Sequence, residues 1–233
     1  MNAYQYILNI NSPMKPLESV VLSIVTEYLT KKTFFSINDI VEYVNNRVRL
    51  NPDINRNKIE IIIKSLIKKR VIIPGTRLMK NNIAENPTRN EIFNYIKSKP
   101  SNINEIMRTL KIGSNQALWH LSCLEKFCFV RSAKLNNHRI FFPFDSNPKF
   151  DKLHYYLNKE LVRTIINFMK EENKVFKITE IADGLKKNHS TIKKYLDILI
   201  NLKLIRIEKL NGRNGFKFDL ERYSKVINSV RGE

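Results

Sequence analysis

The stretch GSNQALWHLSCLE, residues 113–125, decides how this chain is read. Ala117, Leu121 and Leu124 recur at i, i+4 and i+7, the spacing that lines the buried face of an α-helix. Asn115, Trp119, Ser122 and Lys126 fall on the opposite face. The helix is expected to run for about three turns, with Ser114 as its N-cap. Just upstream, NINEIMRTL at 102–110 predicts a shorter amphipathic helix, joined through the turn Lys111-Ile112-Gly113. Just downstream, residues 128–133 and 138–142 predict two strands around Leu135-Asn136-Asn137.

Helix, tight turn, helix and hairpin is the order of a winged helix, in which the second helix of the pair enters the DNA major groove. The end of that helix recurs along the chain. KSLIKKRVII (64–73), SCLEKFCFVR (122–131) and DILINLKLIR (197–206) each read as a recognition helix running into a first wing strand. Three copies of one unit imply three domains, expected at 1–80, 81–148 and 149–233. The fold class is therefore mostly α with small β-hairpins (α+β), built as three tandem winged helix-turn-helix domains.

In the first domain, residues 1–15 read as an edge strand, an ordered arm or a disordered tail. Pro16 opens a helix, as proline is tolerated at the first position. Ser36 and Asn55 cap two more helices, the last with Asn57, Ile61, Lys64 and Lys68 on its outer face. Only residues 77–79 could supply a second wing strand, so this wing is expected to be reduced. Residues 81–86 read as a polar linker, and Pro87 opens the middle domain, whose first helix carries Ile92, Phe93 and Ile96 and stops before Pro100. Residues 145–149 read as a second linker. In the third domain Asn158 and Thr179 are expected helix caps. A recognition helix starts at His189-Ser190, strands at 204–209 and 216–218 flank a turn at 211–215, and an amphipathic helix ends the chain.

The chain has 233 residues, a formal net charge of +19 and a pI near 9.9. A balance this basic points to a polyanionic partner, whether DNA, RNA or an anionic membrane surface; a lysine-rich surface without such a partner is the plainer alternative. The three expected domains carry +7, +4 and +8, so the middle one is electrostatically the poorest DNA binder. Two cysteines make no disulfide framework and fit a reducing cytoplasm. No apolar run reaches the ~18 residues of a membrane span, no signal peptide is expected at the start, and no glycine-rich phosphate loop is present.

The three segments resemble the winged-helix transcription regulators of archaea and bacteria, broadly the ArsR and MarR-like superfamily. The middle domain carries the likeness through Asn86-Pro87-Thr88-Arg89, Ile92, Tyr95-Ile96, Leu118-Trp119-His120-Leu121 and Leu124-Glu125. The third carries it through Ser190-Thr191-Ile192-Lys193-Lys194-Tyr195-Leu196. The resemblance covers about residues 17–220 and implies double-stranded DNA as partner, which members of the family often bind as homodimers. Two departures stand out: the glycine that usually follows the recognition helix is Phe127 in the middle domain and Lys203 in the third.

DNA binding needs cations for phosphates and hydrogen-bonding side chains for base edges. Lys186, Lys187, Asn188, His189 and Ser190 lead into the third recognition helix, Lys193, Lys194 and Asn201 lie on its outer side, and Arg213 and Asn214 sit at the wing tip. Asn115, Gln116 and Trp119 are the corresponding candidates in the middle domain, with Arg89, Lys126 and Arg139 beside them; Asn57, Lys64 and Lys68 are those of the first. Trp119 has a competing reading as packing within the chain or between subunits, and exposed tryptophans also favour protein interfaces.

His120, Cys123 and Cys128 do not make a metal site, because a fourth ligand is missing and cysteine in such a place is more often a small buried hydrophobe. No nucleophile, base and orienting group converge, so no enzyme activity and no cofactor are expected. The competing function is a protein-interaction scaffold with a transcription-machinery partner. Tandem winged helices also build the general transcription factor TFIIE, an RNA polymerase III subunit and endosomal-sorting subunits.

Overall fold

The computed structural model describes residues 16–32, 36–49, 54–210 and 213–231. The expectation for residues 1–15 lies outside the described residues. The chain divides into two compact units, one taking in residues up to Ser98 together with Asn102–Ser132, the other Lys99–Ser101 with Ala133–Glu233.

The first unit begins with α1 (Pro16–Lys31), α2 (Ile37–Arg47) and α3 (Arg56–Lys68). Ser36 caps α2 in a reciprocal box: its hydroxyl accepts from the Asp39 N–H, and the Asp39 carboxylate accepts from the Ser36 N–H at 2.9 Å. Asn55 caps α3 through the Lys58 N–H. The apolar stripes meet in a core containing Val21, Val25, Ile40, Val44, Ile59, Ile63 and Leu66. After α3 a single antiparallel bridge joins Ile72 and Met79.

Residues 81–86, read as a linker, instead lie largely in a helix, α4 (Lys80–Glu85). One apolar residue in KNNIAE is too faint a period to read, yet Ile83 is fully buried and the Asn82 side chain accepts the Met79 N–H. The next elements are α5 (Pro87–Ser98), β1 (Ser101–Asn102), α6 (Ile103–Leu110) and α7 (Ser114–Lys126). The expected cap at Ser114 moves back one residue. Gly113 holds the N-cap position without a side-chain bond, because Lys111, at φ 53°, has already turned the chain after α6. Ala117, Leu121 and Leu124 are buried as expected.

A three-stranded sheet follows in the order β1, β3 (His138–Pro143), β2 (Val130–Leu135). The turn between β2 and β3 is the two residues Asn136 and Asn137, at φ 46° and 64°, the tight hairpin geometry that asparagine tolerates. Leu135, Ile140 and Phe142 pack with Tyr155 and Tyr156 of α8 (Asp151–Leu157). That helix was missed, and it displaces the expected cap. Asn158 ends α8, and Lys159 stands at the N-cap position of α9 (Glu160–Glu172). The Asn158 side chain instead donates to the His154 carbonyl and accepts from Arg163.

In α10 (Ile178–Gly184), Lys177 rather than Thr179 stands at the N-cap, its N–H bound by the Glu180 carboxylate. Then come α11 (His189–Asn201), β4 (Ile205–Leu210), β5 (Arg213–Phe218) and α12 (Leu220–Arg231). Arg213, Asn214 and Gly215 are not turn residues: they pair with Leu210, Lys209 and Glu208, and the connection 211–212 lies outside the described residues. A Cβ on Gly215 would collide with the Val175 side chain, so glycine lets the strand approach the segment before α10. There Phe176 and Phe216 exchange two backbone hydrogen bonds, at 2.9 and 2.8 Å. Tyr223 and Val226 of α12 pack on the core of Ile165, Met169, Ile192, Leu196 and Leu199.

The repeated ten-residue segment has one geometry in all three copies. Arg70, Cys128 and Lys203 occupy the same place in the motif and are all left-handed, at φ 57°, 58° and 57°. Each donates its N–H to the third residue before it, Ile67, Glu125 and Ile200. The next residue donates to the fifth before it: Val71 to Leu66, Phe129 to Leu124, Leu204 to Leu199. This is the Schellman closure of a helix C-terminus. The left-handed residue in the middle copy is therefore Cys128, one place after the expected Phe127; Lys203 is as expected. A side chain at this φ costs about 1–2 kcal/mol, partly offset by the lower unfolded entropy of a non-glycine residue. Lys203→Gly is expected to raise stability by about 0.5 kcal/mol, read as a higher urea midpoint at unchanged m-value.

Candidate nucleic-acid interface

Asn188 sets the start of α11. Its Oδ1 accepts from the Ser190 N–H at 2.9 Å and from the Ser190 hydroxyl at 2.8 Å. Lys186, in the connection from α10, is left-handed at φ 50°, and Lys187 donates its N–H to the Ala182 carbonyl. These bonds put Lys186, Lys187, Asn188, His189 and Ser190 in one exposed run at the positive end of α11, where its free N–H groups favour an anion. Ile192, Leu196 and Leu199 face the core, which turns Lys193, Lys194 and Asn201 to solvent.

Among the described residues, Lys186, Lys187, Lys193 and Arg213 make no ion pair, so their charge is available to an outside anion. Lys194 lies over the Tyr195 ring at 6.0 Å. On the hairpin, Arg213 and Asn214 are exposed, and the Lys209 ammonium donates to Asn214 Oδ1 at 2.9 Å. Lys209 was not among the expected residues. The strand register that sets it opposite Asn214 depends on where the second strand begins, and β5 begins at Arg213, three residues before the expected start at 216.

The other two candidate faces differ. Asn57, Lys64 and Lys68 are exposed on α3, but Lys64 is paired with Glu60 at 2.7 Å. Its i,i+4 partner holds that Glu60 carboxyl below its ordinary range, so this face offers less free charge. On α7, Asn115, Gln116 and Trp119 are exposed, and Leu118 adds a second large apolar side chain beside the tryptophan, 52% exposed against 53% for Trp119. The hairpin that follows α7 is engaged: Asn136 at its tip donates to the Tyr156 hydroxyl. Arg89, expected to face DNA, is buried at 5% exposure, since its place on α5 faces α7.

Cys123 and Cys128 are free and half-buried. Among the described residues no three His, Cys, Asp or Glu side chains gather to hold a metal ion, and no helix is long and apolar enough to cross a membrane.

Residues 155–228, from α8 into α12, match the family of winged helix-turn-helix transcription repressors described as HrcA DNA-binding. Over 206 residues the chain is 24% identical to a protein of Methanocaldococcus jannaschii named as an uncharacterized HTH-type transcriptional regulator. That alignment covers 85% of this chain and 52% of the relative, so the chain spans about half the length of the relative it matches. A crystal structure of the bacterial selenocysteine-specific elongation factor EF-Sec overlays with a TM-score of 0.29 at 15% identity, covering 92% of this chain and 30% of that one; an overlay this loose carries no argument. The family match falls on the part of the chain that holds α10, α11 and the hairpin β4–β5: a winged-helix domain is present there.

Proposed function

We propose that this protein is a DNA-binding transcriptional regulator, and that it grips duplex DNA mainly through α11 and the β4–β5 wing. The observation that carries this reading is the run of unpaired cations at and along α11, within the segment similar to a repressor DNA-binding domain. Asn188 and Ser190 tie each other down, so Lys186, Lys187, Lys193 and Lys194 meet phosphates while His189 and Asn201 reach toward base edges. Arg213 and the Lys209–Asn214 pair follow the backbone from the wing.

Three winged-helix modules, at 1–80, 81–148 and 149–233, are the arrangement we infer, of the tandem kind found in the ArsR and MarR-like superfamily. The thrice-repeated helix closure at Arg70, Cys128 and Lys203 supports it. Dimeric binding and a cytoplasmic site of action belong to the same reading. A second reading, as a scaffold for a transcription-machinery protein, is favoured by the adjacent exposed Leu118 and Trp119 on α7.

A fluorescence-anisotropy titration with random duplex and single-stranded oligonucleotides at two salt concentrations tests the choice. Tight duplex binding is expected, with log affinity falling about 0.9 per phosphate contact for each decade of salt. Negligible duplex binding at low salt rejects the regulator reading in favour of the scaffold.

A further inference from the structure

Arg89 is the third residue of α5, and its side chain is buried with two guanidinium nitrogens, Nε and Nη1, that meet no hydrogen-bond acceptor. Only its backbone N–H is held, by the Asn86 side chain. No carboxylate pairs with it among the described residues. The guanidinium carbon lies 5.3 Å from the centre of the Trp119 ring. Trp119 in turn meets His120 edge-on at 4.8 Å. His120 is 4% exposed, and its Nδ1 also lacks a partner.

Two buried, unsatisfied polar side chains thus sit at one place, where α5 packs on α7. Native proteins rarely leave even one such group without a partner. An arginine keeps its charge, and a buried charge is normally matched by an opposite one. Its place in the first turn of α5 adds to the deficit, since the helix start is itself positive. The neighbours respond accordingly: burial, then the Arg89 charge, hold the His120 imidazole below its ordinary range. Burial pushes the Cys123 thiol up, against the pull of Arg89 and Lys126, so the thiol is a poor counterion. Trp119 forms the outer side of the cluster and is itself about half exposed.

We propose that Arg89, with His120 beside it and Trp119 over it, is a binding site for a small oxyanion, a phosphate or carboxylate group. The guanidinium offers the forked pair of donors that such a group accepts, and rotation of the Trp119 side chain admits it. Because Trp119 projects from the exposed face of α7, occupancy is transmitted to that face. None of its residues belongs to α11, and it does not need duplex binding there.

Trp119 is the chain's single tryptophan, so intrinsic fluorescence of the full chain reads the site directly. Inorganic phosphate, titrated against chloride at matched ionic strength, is expected to change that fluorescence saturably and to raise the melting temperature. Arg89→Met keeps the length of the side chain and removes the fork, and is expected to abolish both responses; Arg89→Lys keeps the charge and is expected to weaken them about tenfold. No phosphate-specific response in the wild-type chain, or an equal response in Arg89→Met, overturns the site.

A second arm measures duplex affinity. If Arg89→Met loses the phosphate response and keeps its duplex affinity, the oxyanion is a free small molecule; if it loses both, it is a phosphate of the DNA backbone. A chain with α11 charge-reversed that still responds to phosphate shows that this site stands whatever becomes of the DNA-binding reading.

Discussion

Reversing Lys193 and Lys194 together to glutamate is expected to weaken duplex binding on the order of 100-fold at moderate salt. On the proposed interface each change takes one cation from a phosphate and puts a like charge in its place, at about tenfold per position. The salt dependence should change with it: losing two phosphate contacts lowers the slope of log affinity against log salt by about 2. Fold is not at stake, because both side chains are exposed while Ile192, Leu196 and Leu199 hold the other face of α11, and glutamate is about as good a helix former as lysine. Anisotropy titrations of the variant and the parent at two salt concentrations, with circular dichroism for helix content, check it. The same reversal at Lys64 and Lys68 should cost less, since Lys64 already spends its charge on Glu60 at 2.7 Å. Retained affinity and slope in the Lys193→Glu/Lys194→Glu variant would remove α11 from the interface.

The long helices were legible because their apolar stripes are long. Ala117, Leu121 and Leu124, or Ile59, Ile63 and Leu66, repeat over enough turns to leave no other reading, and all are buried. Short elements were not. In α4 a single isoleucine, Ile83, holds the helix, and in α8 the buried side chains include the two tyrosines Tyr155 and Tyr156, packed against β2 and β3. Neither pattern has a period.

Caps failed for a related reason. Thr179 and Asn158 are capable capping residues, but a carboxylate from within the first turn, Glu180, satisfies the start of α10, and Asn158 is drawn to His154 and Arg163. At the candidate interface the exposed lysines of α11 could be read from the helical wheel. What could not be read was which cations are already neutralised, because that depends on rotamers and neighbours. Arg89 shows the limit best: in sequence it is one more basic residue near a recognition helix, and only packing turns it into a buried charge without a partner.

Leu196→Ala separates the fold of the second unit from its charge. Leu196 is fully buried on α11 within a core that also holds Ile165, Met169, Phe176, Ile181, Leu199 and Phe218. That set joins α9, α10, α11 and β5, so one side chain braces α11 and the hairpin at once. Truncating a leucine in such a place costs about 2–5 kcal/mol, the lost transfer energy plus the cavity left behind. Against a total stability of about 5–15 kcal/mol for a natural domain, this is a large share, and for a unit near 100 residues it lowers the melting temperature by roughly 10 °C or more. Duplex affinity of the fraction still folded should match the parent, because no cation has moved. The two variants therefore have opposite signatures: Lys193→Glu/Lys194→Glu loses binding at an unchanged melting temperature, and Leu196→Ala loses melting temperature while its binding below the transition keeps the parental salt slope. A Leu196→Ala chain that melts within a degree or two of the parent would mean that the core does not brace α11. In that case the loss of binding on charge reversal could no longer be assigned to a rigidly presented helix face.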